Sequence, residues 1–307
     1  MRLSLLSVTS VLQAVLALPL DISSGGITSI TSSTSITSIT SITSTPLEDV
    51  FISVKTTQKY HQTRLGPVLD TWYRLAPDST WIFTDSADPE VEDRVRPGHL
   101  VTTSCPSDHS RQSLCCKMEA EIETFLATPG RSWFCHLDDD NYLNIPALLR
   151  ELAKFPADQD WYLGKVSISE PLQVYDKTHH RDVSFYFGTG GAGFCLSRPL
   201  AERIGQMSSS LSQTGNTIGL PDDVTVGYIT TVLLQVPLTR LDLLHSHLES
   251  LRRVETDSLA EQITLSYGRY EDGTENVVSL TDLDTRSDPT TMYSIHCLLF
   301  SECHHPR

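Results

Sequence analysis

Trp133-Phe134-Cys135-His136-Leu137-Asp138-Asp139-Asp140 is the stretch on which the fold turns. Its first five residues make a short, mostly apolar run, the pattern of a buried strand. Three carboxylates follow at once. Carboxylates placed where a strand leaves a sheet can converge on a hard cation and its polyanionic ligand. In an α/β enzyme that is the place for a nucleoside diphosphate.

Working outward from this run, strand and helix signals alternate. Residues 50–54 and 80–83 read as strands. Between them Leu65, Val68, Leu69 and Trp72 fall at the i, i+3, i+4, i+7 spacing of a helix face, which Gly66-Pro67 must kink or delay. Leu114, Met118, Ile122 and Leu126 form a second helical stripe leading into the central run. After it, Asn144 can cap a third helix with Pro146 in its first turn and Leu148, Leu149, Leu152 and Phe155 inward. Residues 161–166 and 193–196 supply further strands, and Pro221-Asp222-Asp223 opens a helix carrying Val224, Tyr228, Ile229 and Val232. Such alternation predicts an α/β fold, a mostly parallel central sheet with helices on both faces and ligands at the carboxyl ends of its strands. Residues 207–219 are polar and serine-rich, and are expected to form a mobile loop that substrate orders.

Composition narrows the function. The chain has 307 residues, 39% hydrophobic, enough to bury a full core in one large domain. A net charge of −15 argues against nucleic acid or an anionic membrane as a main partner, since either demands a basic surface. It also means that a bound diphosphate needs a divalent cation to reverse the local field. Seven cysteines without a CxxC pair argue for disulfides in an oxidising compartment rather than a zinc site, and the odd count leaves one thiol over. Residues 1–22, with Arg2 ahead of a largely apolar run, read as a signal peptide or a signal anchor. Residues 23–47 are nearly all Ser, Thr, Ile and Gly, a disordered stem or linker, so the catalytic domain is expected over 48–307. No Asn-x-Ser/Thr acceptor occurs.

Several local motifs agree with one family. VKTTQKYHQTRL (54–65), IFTD (82–85), HSRQSLCCKM (109–118), WFCHLDDDNY (133–142), GTGGAGFCLSR (188–198), LPDDVTVGY (220–228) and HSHLE (245–249) resemble the fringe glycosyltransferases. These are β-1,3-N-acetylglucosaminyltransferases that extend O-linked fucose on EGF-like repeats. The resemblance runs in order through residues 48–303. It implies a GT-A type nucleotide-diphospho-sugar transferase fold and Golgi localisation with the catalytic domain in the lumen. UDP-GlcNAc would be the donor, O-fucosylated EGF-like repeats of Notch-type receptors the acceptor, and Mn²⁺ the metal.

The resemblance also selects among residues whose own patterns leave alternatives open. Asp138 to Asp140 could be a solvated acidic turn; by resemblance Asp140 binds manganese and Asp139 the sugar nucleotide, with Asp138 supporting them. Either His245 or His247 could complete the metal site, and the family pattern selects His247. Imidazole with carboxylate and phosphate oxygens suits Mn²⁺ better than Ca²⁺ or Mg²⁺. Asp222 and Asp223 read locally as an N-cap and a first-turn acid. Inverting transfer needs a carboxylate base, and the resemblance makes that base Asp223, with Asp222 as its capping neighbour.

Arg64, by pattern a solvated helix residue, is placed on the donor, with Thr56 and Thr57 in the same pocket. The glycine run 188–193 is either a sheet bend or a close-approach surface, and no Gly-Lys-Ser/Thr follows it to make a phosphate loop. The family's disulfides, carried over, join Cys105 to Cys116, Cys135 to Cys195 and Cys297 to Cys303, and leave Cys115 as a departure from the pattern. Two other readings remain at this point: a β-1,3-transferase with a galactosyl donor or another acceptor, and a non-catalytic module that binds glycosylated EGF repeats.

Overall fold

The computed structural model describes residues 44–280 and 288–301. Residues 1–22, most of the 23–47 segment, and Cys303 lie outside them. The strands are β1 Val50–Lys55, β2 Thr80–Thr84, β3 Leu100–Thr102, β4 Trp133–Asp138, β5 Asn141–Leu143, β6 Tyr162–Gly164, β7 Leu172–Asp176, β8 Arg181–Phe185, β9 Phe194–Ser197, β10 Leu238–Arg240, β11 Leu244–His245, β12 Thr264–Ser266, β13 Gly268–Arg269 and β14 Glu275–Asn276. The helices are α1 Gly66–Asp70, α2 Pro89–Glu92, α3 Arg111–Ala127, α4 Ile145–Leu152, α5 Arg198–Gly205, α6 Leu211–Ile218, α7 Asp222–Gly227 and α8 Met292–Phe300.

Seven strands form the main sheet in the order β10-β6-β9-β4-β1-β2-β3. Every pairing is parallel except those of β9, which runs antiparallel to both β4 and β6. The sheet is therefore mostly parallel, as the alternation predicts. The inner strands are buried on both sides, which explains why β1 and β4 read as continuous runs rather than alternating ones. Ile52 and Val54 of β1 pack with Val68, Leu69, Leu148, Leu152 and Ile295, so α1, α4 and α8 cover one face. Phe51 and Phe83 pack with Met118, Ile122, Phe125, Leu200, Leu211 and Val226, so α3, α5, α6 and α7 cover the other.

Helix boundaries follow their punctuation. Gly66-Pro67 does not merely kink the first helix: His61–Leu65 forms a wide π-turn, and α1 restarts at Gly66. All four predicted apolar residues, Leu65, Val68, Leu69 and Trp72, are nevertheless buried. Asn144 caps α4 as expected, its side-chain oxygen accepting from the amide of Ala147. On α3 the buried face is Cys115, Met118, Ile122 and Phe125, with Leu114 and Leu126 at its margins. The same face buries Lys117 and Glu121, two charges that hydrophobic spacing cannot reveal.

The 207–219 expectation needs correction. Most of that segment is α6, closed by a capping box in which Ser210 and Gln213 exchange side-chain and backbone bonds. Leu211, Thr214 and Gly215 turn inward, and Gly215 lies against the Cys115 sulfur. Serine-rich composition hid a short helical stripe.

Two predicted disulfides are present, Cys105–Cys116 and Cys135–Cys195. The second joins the facing residues of β4 and β9. Cys297 is disulfide-bonded as well. Cys115 is free and buried, and burial pushes its thiol up to about 11, so it is inert at neutral pH. No helix among the described residues is long and apolar enough to cross a membrane.

Candidate functional site

β1, β2 and β4 all end at one edge of the sheet, and β9, being antiparallel, begins there. A cleft of about 930 Å³ opens at that edge. Arg64, Asp139, Asp140, Asp223 and His247, five residues from four distant segments, all line it, together with Thr56 and Thr57. The parallel register brings Lys55 level with Asp138, so the acidic run leaves the sheet beside the end of β1.

Asp139 and Asp140 are buried, Asp138 is part-exposed, and the three are unevenly compensated. Asp138 meets Lys55 at 3.1 Å and His136 at 3.6 Å. Burial alone would raise its pKa, but Lys55 and His136 hold it well below the usual carboxylate range. Asp139 accepts from the Thr56 hydroxyl at 2.7 Å and lies 3.4 Å from Arg64. Asp140 lies 3.1 Å from the same guanidinium and accepts from the Ser266 hydroxyl at 2.9 Å. One arginine is thus shared between two carboxylates. Burial, and then the neighbouring charge of Asp140, pushes Asp139 up to about 7. Burial, and then Asp138, pushes Asp140 up to about 6. The cluster carries more negative charge than its side chains neutralise, which is the condition a bound cation relieves.

His247 is placed to help hold such a cation. Its Nδ1 lies 3.1 Å from the Ser266 oxygen and 4.0 Å from Asp140. With Asp140 ionised, the single Ser266 hydroxyl proton goes to that carboxylate, so the imidazole must donate from Nδ1 to Ser266. In the neutral ring that assignment leaves Nε2 with the lone pair, the form a metal ligand requires. The ring is cradled by glycines: a Cβ on Gly191 would stand 2.8 Å from the His247 Cε1, and one on Gly268 2.7 Å from its Cβ. Among the described residues no group of three or more His, Cys, Asp and Glu side chains is arranged to hold a metal alone. The donor set fits a metal that would need further oxygens, such as those of a diphosphate; Asp140 and His247 are the residues that would hold it.

His245 is sorted out by the same geometry. Its ring meets Gln262 at 2.8 Å and Glu249 at 3.3 Å, and it lines a separate cleft of 340 Å³. Side chains of an extended His-Ser-His look equivalent in sequence, and only their neighbours separate them.

Asp223 stands in the first turn of α7. Its Oδ2 accepts from the amide of Gly190 at 3.0 Å and its Oδ1 from the amide of Val224 at 2.7 Å. Burial, and then the charge of Asp222, pushes it up to about 6. The glycine run therefore serves as a close-approach surface, its backbone orienting a carboxylate. Asp222 is not the capping neighbour expected of it. Pro221 occupies the cap position without a side-chain bond, and Asp222 instead pairs with Lys55 at 2.5 Å. The buried Lys55 ammonium takes Asp222, and the first-turn amide of Val224 goes to Asp223 instead.

Arg64 is half-exposed rather than solvated, stacked 4.0 Å over the Tyr60 ring and aimed at Asp139 and Asp140. Several residues escape sequence reasoning. Lys117 donates to the Thr56 carbonyl and to Asp85, which also accepts from the Thr57 hydroxyl. Beneath the run, Glu121 accepts from Ser53 and meets His136 at 2.6 Å; burial works against the imidazolium, but Glu121 carries its pKa up to about 9. Lys55 carried one usable signal: it closes the apolar run of β1 as Asp138 closes that of β4.

The fold thus places an acidic cleft at the carboxyl edge of a mostly parallel sheet, where α/β proteins bind ligands. The chain belongs to the fringe-like family, whose profile matches residues 45–303. Its sequence is 45% identical over 262 residues to the fringe glycosyltransferase of Drosophila melanogaster, covering 83% of this chain and 63% of that protein. It is 46% identical over 259 residues to the β-1,3-N-acetylglucosaminyltransferase lunatic fringe of Bos taurus, covering 83% and 67%. To radical fringe of Gallus gallus, likewise named a β-1,3-N-acetylglucosaminyltransferase, identity is 45% over 267 residues, covering 84% and 71%. The chain thus spans about two thirds of the length of these relatives. A solved glycosyltransferase involved in glycosylating the major capsid of PBCV-1 overlays at a TM-score of 0.37 with 10% identity, covering 79% of this chain and 98% of that one, too loose a likeness to argue from.

Proposed function

We propose that this protein transfers N-acetylglucosamine from UDP-GlcNAc, in β-1,3 linkage and with inversion, to O-linked fucose on EGF-like repeats of Notch-type receptors, and so modulates Notch signalling. The observation that carries the proposal is the convergence of Asp139, Asp140, His247, Arg64 and Asp223 on one cleft, in a chain about 45% identical to enzymes named for this transfer.

The residues take distinct roles. Asp139 orients the sugar nucleotide, and Arg64, which spans both acids here, turns to the donor when a cation takes over their charge. Manganese, held by Asp140 and His247, would supply positive charge to the departing diphosphate. Asp223, fixed by two backbone amides, removes the proton from O3 of fucose. That oxygen forms the new bond to the anomeric carbon of GlcNAc as the bond to UDP breaks, so an α-linked donor gives a β-linked product without a covalent glycosyl-enzyme.

Disulfides in the described domain support a lumenal, oxidising setting. We place the protein in the Golgi, with residues 1–22 as signal peptide or anchor, 23–47 as stem and 48–307 as catalytic domain. The decisive assay offers UDP-GlcNAc and an O-fucosylated EGF repeat, with manganese or with EDTA. Transfer only with metal present is expected. Turnover with UDP-galactose instead would reassign the donor, and binding of the repeat without turnover would make the chain a recognition module.

A further inference from the structure

Lys55 is the last residue of β1, and its side chain is only 10% exposed. Its ammonium sits between the part-exposed carboxylate of Asp138, at 3.1 Å, and the buried one of Asp222, at 2.5 Å. Asp138 closes β4 directly before Asp139 and Asp140, and Asp222 opens α7 directly before Asp223. One cation is therefore where the acidic run and the turn bearing the base meet. Burial pulls the Lys55 pKa down, yet Asp138 and Asp222 hold it well above the ordinary lysine value, so it stays charged.

The surroundings give that contact leverage. α7 packs Val224 and Val226 into the core, and Pro221 gives it no side-chain cap. The contacts that tie its two acids to other elements are the Gly190 amide to Asp223 and Lys55 to Asp222. Without the ammonium, Asp138 and Asp222 would be like charges facing one another in a part-buried setting, and the two ends would be driven apart. A lysine suits the place because it is a compact point charge; a guanidinium is larger and planar, and would hold the same carboxylates at a different separation.

We propose that Lys55 is a positioning residue that sets the distance and direction of Asp223 relative to the Asp139–Asp140 motif. It acts through Asp138 and Asp222, and the inference rests on the transfer reaction proposed above. Misplacing a base by about 1 Å costs on the order of 100-fold in rate while leaving the ground-state donor complex nearly intact. The signature is a fall in kcat rather than a rise in KM.

Two variants test it, Lys55→Arg and the double variant Lys55→Met with Asp222→Asn, which removes one carboxylate along with the cation so that the fold survives. Affinity for UDP with manganese is measured by calorimetry, and transfer is followed with UDP-GlcNAc and an O-fucosylated EGF repeat. We expect UDP affinity within about threefold of native in both, with kcat down roughly 10-fold for Arg and roughly 100-fold for the double variant. A native-like kcat in both variants overturns the proposal. So does a loss of UDP affinity as large as the loss of turnover, which would put Lys55 in the donor site itself. If the native protein shows no transfer, the functional reading fails and this inference with it; active native protein with unaffected variants defeats the inference alone.

Discussion

Asp138 and Asp222 end a strand and begin a helix in distant parts of the chain, and the same lysine pairs with both. The carboxylates that follow them are treated differently. Asp139 and Asp140 share Arg64 and take hydroxyl bonds from Thr56 and Ser266, whereas Asp223 rests on backbone amides alone. Asp138, paired, titrates far below the usual range, while Asp139, Asp140 and Asp223 sit at about 7, about 6 and about 6. The contrast separates two jobs within each cluster. A carboxylate held close by a buried ammonium ties elements together, and one whose pKa burial raises is left to meet a cation or a proton.

The strongest way to break this comparison is Asp223→Asn. The amide keeps the shape but cannot take a proton, so kcat should fall by about 10³-fold or more while UDP binding persists. Normal turnover would remove Asp223 from its role. The acidic run should respond in the opposite sense: Asp140→Ala should weaken manganese-dependent UDP binding by roughly 100-fold, visible as a calorimetric difference between native and variant that EDTA abolishes. Equal UDP affinity with and without metal would undo the metal assignment.

A milder test uses pH. Burial and Asp222 raise the Asp223 pKa to about 6, so protonation below that value removes the base. At saturating donor, kcat should be level above the transition and fall about tenfold per unit below pH 6. A profile flat down to pH 4.5 would contradict the buried environment described here. The smallest effect belongs to a residue that takes no part in either cluster: Asn144→Ala should cost about 1 kcal/mol of stability from the lost α4 cap, with kcat unchanged.

Much of this was readable in residue order because the signals are local. An apolar run ended by carboxylates, a capping Asn ahead of Pro146, and the i, i+3, i+4, i+7 stripe around Trp72 each concern neighbours within a few positions, where spacing reports burial directly. The mostly parallel sheet with helices on both faces follows from such signals. Where composition masked them, as serine did over α6, the reading failed. Disulfide pairing and metal ligands came from likeness to a family, not from spacing.

Chain order alone thus determined five strands of the main sheet, the Asn144 cap of α4, and that acids cluster where a strand ends. Tertiary structure decided that β9 runs against its neighbours, that His247 rather than His245 faces the cleft, that Asp222 pairs with Lys55, and that Lys117, Glu121 and His136 form a buried polar layer beneath the site. Periodicity tells a residue which way to face. The partner it finds there depends on side chains that are distant in the chain, and the pKa of each acid depends on that partner.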